Sequence, residues 1–326
     1  DPQAPRGAVM LDARDSTSTA LRGPIPTLWH SDGPEAAWTV GRELIARARP
    51  RTVQIHSWSP QLITDKVRST LGAVDFVCGY GIDSIARDVA KANTSVTDGV
   101  RTLVRLAERA HSIGAIAVMH NAEAAWKRPP TSPERSRLSA LIRTALGEIA
   151  VRFPTLQQLH TAYDHPSFHA SYPWNDWLGT HSPIIASYCQ VYAAPGDELM
   201  AHRGALPARE ARSLRSWGAA VRAGWIVEDD PSTALREGVE WRPYYQLHHV
   251  PMRDTAASAL QQESVALWAI PARADRDGRA AFAALCELDR RGYWRADGIV
   301  AFQRDNGLED DGVLGPQTLG ALGVDR

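Results

Sequence analysis

Short apolar runs alternate with longer stretches whose apolar residues recur three and four positions apart, and this pattern persists from residue 7 to about residue 293. Runs bounded by turn formers suit strands buried on both faces, and the 3.6-residue period between them marks helices that cover those strands. Eight strands are expected: GAVMLDA (7–13), TVQIHSW (52–58), VDFVCGY (74–80), AIAVMHN (115–121), LQQLHTA (156–162), PIIASYC (183–189), YYQLHHV (244–250) and SVALWAI (264–270). Helical stretches such as EAAWTVGRELIARAR, VRTLVRLAERAHSIG, PERSRLSALIRTALGEIAVRF and AREARSLRSWGAAVRAG separate them. Eight such alternations over roughly 285 residues match the size of a TIM barrel. A doubly wound open sheet is the competitor, but no GxGxxG turn follows the first run. The expected fold is therefore α/β, a TIM (β/α)8 barrel over residues 1–275, with a small C-terminal helical module over 276–326.

Three local features qualify this layout. The fifth unit, LHTAYDHPSFHASYPWNDWLGTHSP, has room for only a short helix. Residues 226–243 read as an irregular loop ahead of strand seven. The helix RAAFAALCELDRRGYW has two potential owners, since it could close the barrel as its eighth helix or open the tail module.

Composition removes several function classes. Lys and Arg total 36 against 37 Asp and Glu, so no global field draws the chain to nucleic acid or an anionic membrane. No apolar run reaches the roughly 18 residues of a membrane span. The N-terminus DPQAPRG shows neither the charged nor the apolar region of a signal peptide, which fits a removed leader or a tag scar equally. Three widely spaced cysteines offer neither a disulfide framework nor a CxxC pair. The 11 Trp are about two to three times the usual share, and a Trp face suits a sugar ring as well as a core.

In the tail, GIVAFQRDNGLEDDGVLGPQTLGAL reads as helix, loop, helix: Gly307 where the first helix stops, a DDG turn, and Pro316 at the next helix start. About 30 residues cannot hold a core alone, so the unit must use the preceding helix or lean on the barrel. Phe302, Gln303, Gly307, Leu308, Asp311, Gly312, Gly315, Pro316, Thr318 and Leu322 at these spacings resemble the peptidoglycan-binding module often appended to bacterial and phage cell-wall hydrolases. The resemblance implies Phe302, Gln303, Asp311, Gly312, Gly315 and Thr318 as the module's residues, and peptidoglycan as its partner. The family's extra DG turn before the FQ helix is missing, which leaves the first half of the module shortened.

In a barrel, working residues gather where strands end, because the following loops build the open face. The expected strand ends supply Asp12, Trp58, Tyr80 with Asp83 beyond, His120, Asn121, Glu123, Asp164, Tyr188, Tyr192, Gln246, His248 and Trp268. Glycosidic cleavage needs a protonated acid at the leaving oxygen, and a second carboxylate or the substrate's acetamido group to stabilise the cationic transition state. Glu123 is the candidate acid and Asp12 its preferred partner, with Asp164 second. The structural alternative for Glu123 is a cap or ion pair at the start of the next turn. Asn121, His120, Trp58, Tyr80, Asp164, Tyr192, Gln246, His248 and Trp268 are the candidate substrate contacts.

This set is similar to chitinase-like and muramidase-like barrels. The resemblance implies that Glu123 follows strand four, Tyr188, the third candidate catalytic residue, ends strand six and Trp268 floors the site from strand eight, with HNAE where chitinases carry DxxDxDxE. A zinc amidase or peptidase is a further alternative, because His120 and Glu123 form HxxE and His160, His248 or His249 could add a ligand. The leading expectation is a cofactor-free peptidoglycan glycosidase. It would act outside the cell, in the periplasm or at the wall, or be phage-encoded and act on the wall. A non-catalytic peptidoglycan-binding barrel is the other alternative.

Overall fold

A computed structural model describes residues 21, 23–29, 46, 48–57, 71–163, 171–191, 240–246, 264–268, 276–295 and 297–324. Its sheet is a closed barrel of eight parallel strands: β1 (Gly23–Trp29), β2 (Thr52–Ser57), β3 (Asp75–Gly81), β4 (Ala117–Asn121), β5 (Gln157–Tyr163), β6 (Ile184–Val191), β7 (Glu240–Gln246) and β8 (Ser264–Trp268). Each strand pairs with the next, and β8 returns to β1 with Trp268 opposite Thr27. The fold class expected from the alternation is the one observed.

Six strands fall within two residues of their expected limits, and two do not. The first barrel strand is GPIPTLW (23–29), so GAVMLDA (7–13) is not one of the eight. The seventh is EWRPYYQ (240–246), which starts inside the stretch read as an irregular loop and ends four residues before the expected end. Both carry proline, which lacks the ladder N–H and therefore reads as a strand breaker. Here Pro24, Pro26 and Pro243 pair in register with Val265, Leu267 and Cys189.

Helices cover the barrel between strands: α1 (Asp83–Ala90), α2 (Val96–Ser112), a 3-10 turn (Ala124–Trp126), α3 (Pro133–Arg152) and α4 (Trp174–Leu178). Ser95 and Ser132 start α2 and α3 by accepting the backbone N–H groups of Asp98 and Arg135, with Pro133 preset in the first turn of α3. Two apolar layers result from strand alternation. Val53, Ile55, Phe76, Cys78, Tyr80 and Val118 point outward and pack with Leu103, Ala107, Leu138 and Leu141 of the helices. Val77, Ala117, Met119, Leu159, Ala186 and Tyr188 point inward and fill the barrel.

The tail forms α5 (Arg276–Arg290), α6 (Gly298–Asp305) and α7 (Pro316–Ala321). Leu285 and Leu288 of α5 share a core with Ile299, Phe302, Leu314, Leu319 and Leu322, and α5 also packs on β1. Both owners therefore use this helix, and it supplies the packing that the shortened module lacks. Ala48 joins the same core from the segment before β2. Next to it, Arg51 Nε lies 2.7 Å from Asp289 Oδ2, and Arg51 Nη2 donates to the Asp289 carbonyl oxygen. No helix among the described residues is long and apolar enough to cross a membrane.

Candidate active site

Inward-facing residues change character along the strands. Val77, Ala117, Met119 and Leu159 are apolar, whereas His56, Asn121, Thr161 and Tyr188, toward the C-terminal ends, carry polar atoms. Register places Asn121 beside Thr161 and Thr161 beside Tyr188, so three adjacent strands contribute neighbouring groups. The His56 ring lies 3.4 Å from the Gln54 amide at Nδ1 and 3.4 Å from the Asn121 amide at Nε2. Burial pushes its pKa down to about 3, so the ring is neutral and one of the two amides presents its oxygen. Gly79 makes this cluster fit, because a Cβ there would stand 2.6 Å from both Gln54 Nε2 and His56 Nδ1.

Glu123 lies two residues beyond Asn121, immediately before the 3-10 turn, and is half-buried. Its side chain makes no capping bond to that turn. Asp83, the first residue of α1, does the capping instead: Oδ1 accepts the Glu123 N–H at 2.8 Å and Oδ2 accepts the Ala125 N–H at 3.1 Å. The capping alternative for Glu123 is thereby removed.

A second polar cluster lies outside the barrel wall. His160 Nδ1 is 2.8 Å from Ser187 Oγ, and its Nε2 is 2.7 Å from the Tyr172 hydroxyl. Tyr172 donates to the Ala122 carbonyl oxygen at 3.1 Å, so it accepts from Nε2–H, and Ser187 donates to Nδ1. His120 Nε2 donates to Gln158 Oε1 at 3.3 Å, and Gln158 passes the chain on to the Leu146 carbonyl of α3 at 3.0 Å. Trp177 packs on both rings, 5.7 Å from His120 and 5.2 Å from His160. Burial lowers the pKa of His120 to about 4 and that of His160 to about 3.

These positions correct several expectations. His120 is not a substrate contact at the mouth: strand alternation turns it outward into the helix layer, which also separates it from Asn121. The HxxE reading loses its first ligand for the same reason. Among the described residues no group of three His, Cys, Asp or Glu converges. Tyr80 likewise faces the helices, and so does Cys78. Burial pushes the Cys78 thiol up to about 12. Asp12 was expected at the end of the first strand, and the first barrel strand is instead Gly23–Trp29. His248 follows β7 by two residues instead of lying within it. Asp12, Trp58, Asp164, Tyr192 and His248 lie outside the described residues. Gln246 and Trp268 end β7 and β8 in register with each other. Tyr188 lies inside the barrel, fully buried. Trp126, Trp174 and Trp177 are buried core residues rather than exposed sugar platforms.

In the tail, the residues that carried the resemblance build the module from within. Gln303, 1% exposed, donates through Nε2 to Asp311 Oδ1 (2.8 Å), the Val313 carbonyl (3.0 Å) and Thr318 Oγ1 (3.0 Å), and accepts the Gly312 N–H at Oε1 (2.8 Å). Gly312 turns with φ of 73°, and Gly315 precedes the first turn of α7. Phe302 is fully buried, edge-on to Tyr293. Phe302, Gln303 and Thr318 are therefore framework, and a ligand would meet other atoms.

Sequence reasoning placed Asp83 beyond strand three without giving it a role, and missed Tyr172. The signal for Asp83 was its place one turn beyond β3, at a helix start; Tyr172 sits in a loop whose path no local pattern gives.

Residues 295–322 match the family model described as "Putative peptidoglycan binding domain". No curated protein matches the chain. Among solved structures, a xylose isomerase domain protein from Planctomyces limnophilus aligns with 16% identity and a TM-score of 0.32, over 45% of this chain and 55% of that one. An L-ribulose 3-epimerase aligns with 9% identity and a TM-score of 0.49, over 87% and 95%. A GH18 chitinase from Pseudoalteromonas aurantia aligns with 11% identity and a TM-score of 0.44, over 81% and 99%. The chain thus spans just over half the length of the first of these.

Proposed function

We propose that the chain is a peptidoglycan-directed glycosidase, with the barrel of residues 1–275 as its working part and residues 276–326 as its wall-binding part. The observation that carries this reading is the joining, in one chain, of a tail matching a peptidoglycan binding model to a barrel with Glu123 just beyond β4. Glu123 protonates the glycosidic oxygen as the bond to the anomeric carbon breaks. The substrate's acetamido oxygen or a second carboxylate stabilises the cation; Asp164, the residue after β5, takes the place of Asp12. Asn121, Tyr188 and the Thr161 hydroxyl, which has no hydrogen-bond partner among the described residues, form a buried polar layer beneath the sugar. Holding the enzyme on an insoluble polymer raises the effective concentration of cleavable bonds, and places its action at the cell wall.

The test is release of reducing sugar ends from purified peptidoglycan by the full chain. Wild type is expected to release them, and Glu123→Gln to lower the rate at least about hundredfold. Equal rates for the two proteins would sink the assignment. Sedimentation with peptidoglycan and no release from wild type would favour a binding barrel, a reading to which the burial of Asn121 and Tyr188 lends weight.

A further inference from the structure

The peptide plane that joins Ala122 to Glu123 is held at both of its polar atoms by side chains from other elements. Its carbonyl oxygen accepts from Tyr172, which precedes α4, and its N–H donates to Asp83 at the start of α1. Each holder is itself fixed. The Tyr172 hydroxyl is oriented by His160, which is oriented by Ser187 of β6. Arg135 of α3 donates to the main-chain oxygens of Ser171 and Tyr172, at 2.8 and 3.5 Å. Asp83 spends its second oxygen on the Ala125 N–H, so the start of the short turn after Glu123 is tied to α1 at two points. Main-chain bonds from Ala122 N–H to Thr161 and from Ile82 N–H to Asn121 complete the frame on either side.

A buried tyrosine and a half-buried aspartate converging on one peptide are more than the turn requires. A three-residue turn needs one cap, and Asp83 alone supplies it. We propose that Asp83 and Tyr172 are positioning residues for Glu123, fixing the direction in which its Cα–Cβ bond leaves the backbone. This rests on Glu123 being the catalytic acid. Neither residue touches the sugar. Their contribution is to fix the backbone of a half-buried glutamate just beyond β4 without using its carboxyl to cap the turn.

The experiment uses the full chain as wild type, Asp83→Asn, Tyr172→Phe and Glu123→Gln. Asp83→Asn keeps the shape but loses one of two acceptors; Tyr172→Phe keeps the ring packing and loses only the hydroxyl. Two readouts are taken: amide hydrogen exchange across residues 119–127, and initial rates of reducing-end release over a range of peptidoglycan concentrations. Both variants are expected to speed exchange at Glu123 and its neighbours about tenfold or more, with Met119 unchanged. They are expected to lower kcat about tenfold to hundredfold, with KM unchanged. Wild-type exchange, or an unaltered kcat in both variants while Glu123→Gln is inactive, overturns the positioning role and leaves the acid assignment standing. Full activity in Glu123→Gln overturns both together. Should Asp83→Asn fail to fold, Tyr172→Phe carries the test alone.

Discussion

Gly79 faces the barrel axis at the level of His56, and the 2.6 Å approach of a built Cβ to two side chains makes the position intolerant of even a methyl group. Gly79→Ala is expected to destabilise the protein by about 1–3 kcal/mol, read as a lower urea midpoint, because Gln54 and His56 must move within a packed interior. The three buried histidines set a pH dependence of defined sign. His56, His120 and His160 stay neutral in the fold, with pKa values of about 3, 4 and 3 against the ordinary 6.5. The unfolded chain binds protons that the fold refuses, so stability is complete above pH 6.5 and falls as the pH drops from there toward 4 and 3. Each ring contributes up to about 1.4 kcal/mol per pH unit in that window. Urea midpoints at pH 7, 6 and 5 are expected to decline in that order; a flat series would show that the rings titrate normally. At this scale the sequence named Asn121, Glu123 and Tyr188 but could not tell the inward from the outward face of a strand. One residue of register decides it, and His120 and Asn121 therefore part company.

Among the elements, legibility followed composition. Strands rich in Val, Ile and aromatic residues, such as β2 and β3, were found at nearly their full extent, and the two that contain proline were displaced onto neighbouring apolar runs. A barrel strand with proline loses ladder donors on one side, and closure of the ring by its neighbours compensates; that is a property of the whole sheet and leaves no local trace. The tail was legible for a different reason. Its turn residues are tied to backbone geometry, as Gly312 is, and to one buried amide. Gln303→Ala is expected to cost about 1–3 kcal/mol in the stability of the α6–α7 unit, since it empties a buried site and strands the Gly312 N–H, while Asp311 and Thr318 keep their bonds to Val313. Thermal unfolding, together with faster exchange at the Gly312 amide, checks it.

Across the molecule, α5 joins the barrel and the tail into one structure. Arg51, just before β2, reaches Asp289 near the end of α5; burial raises the pKa of that carboxyl, and the guanidinium pulls it back. Arg51→Met is expected to lower stability by about 1–3 kcal/mol, since a nearly buried carboxylate loses its partner. Denaturant unfolding followed separately at Trp294 and in the barrel would show the tail loosening first. The sequence showed that this helix had two candidate hosts; that it serves both at once depends on the direction in which it runs down the barrel wall.

That direction has a mechanical consequence. Arg51 precedes a parallel strand, whereas Glu123 follows one, so the contact that ties α5 to the barrel and the turn that carries Glu123 lie at opposite poles of a cylinder roughly 20 Å tall. If the tail grips glycan as proposed, grip and acid are held about a barrel's height apart, which favours a bond in a neighbouring thread of the mesh over one in the thread that is held. Such an enzyme would stand on one cable of the net while severing the next, and would keep its footing after each cut.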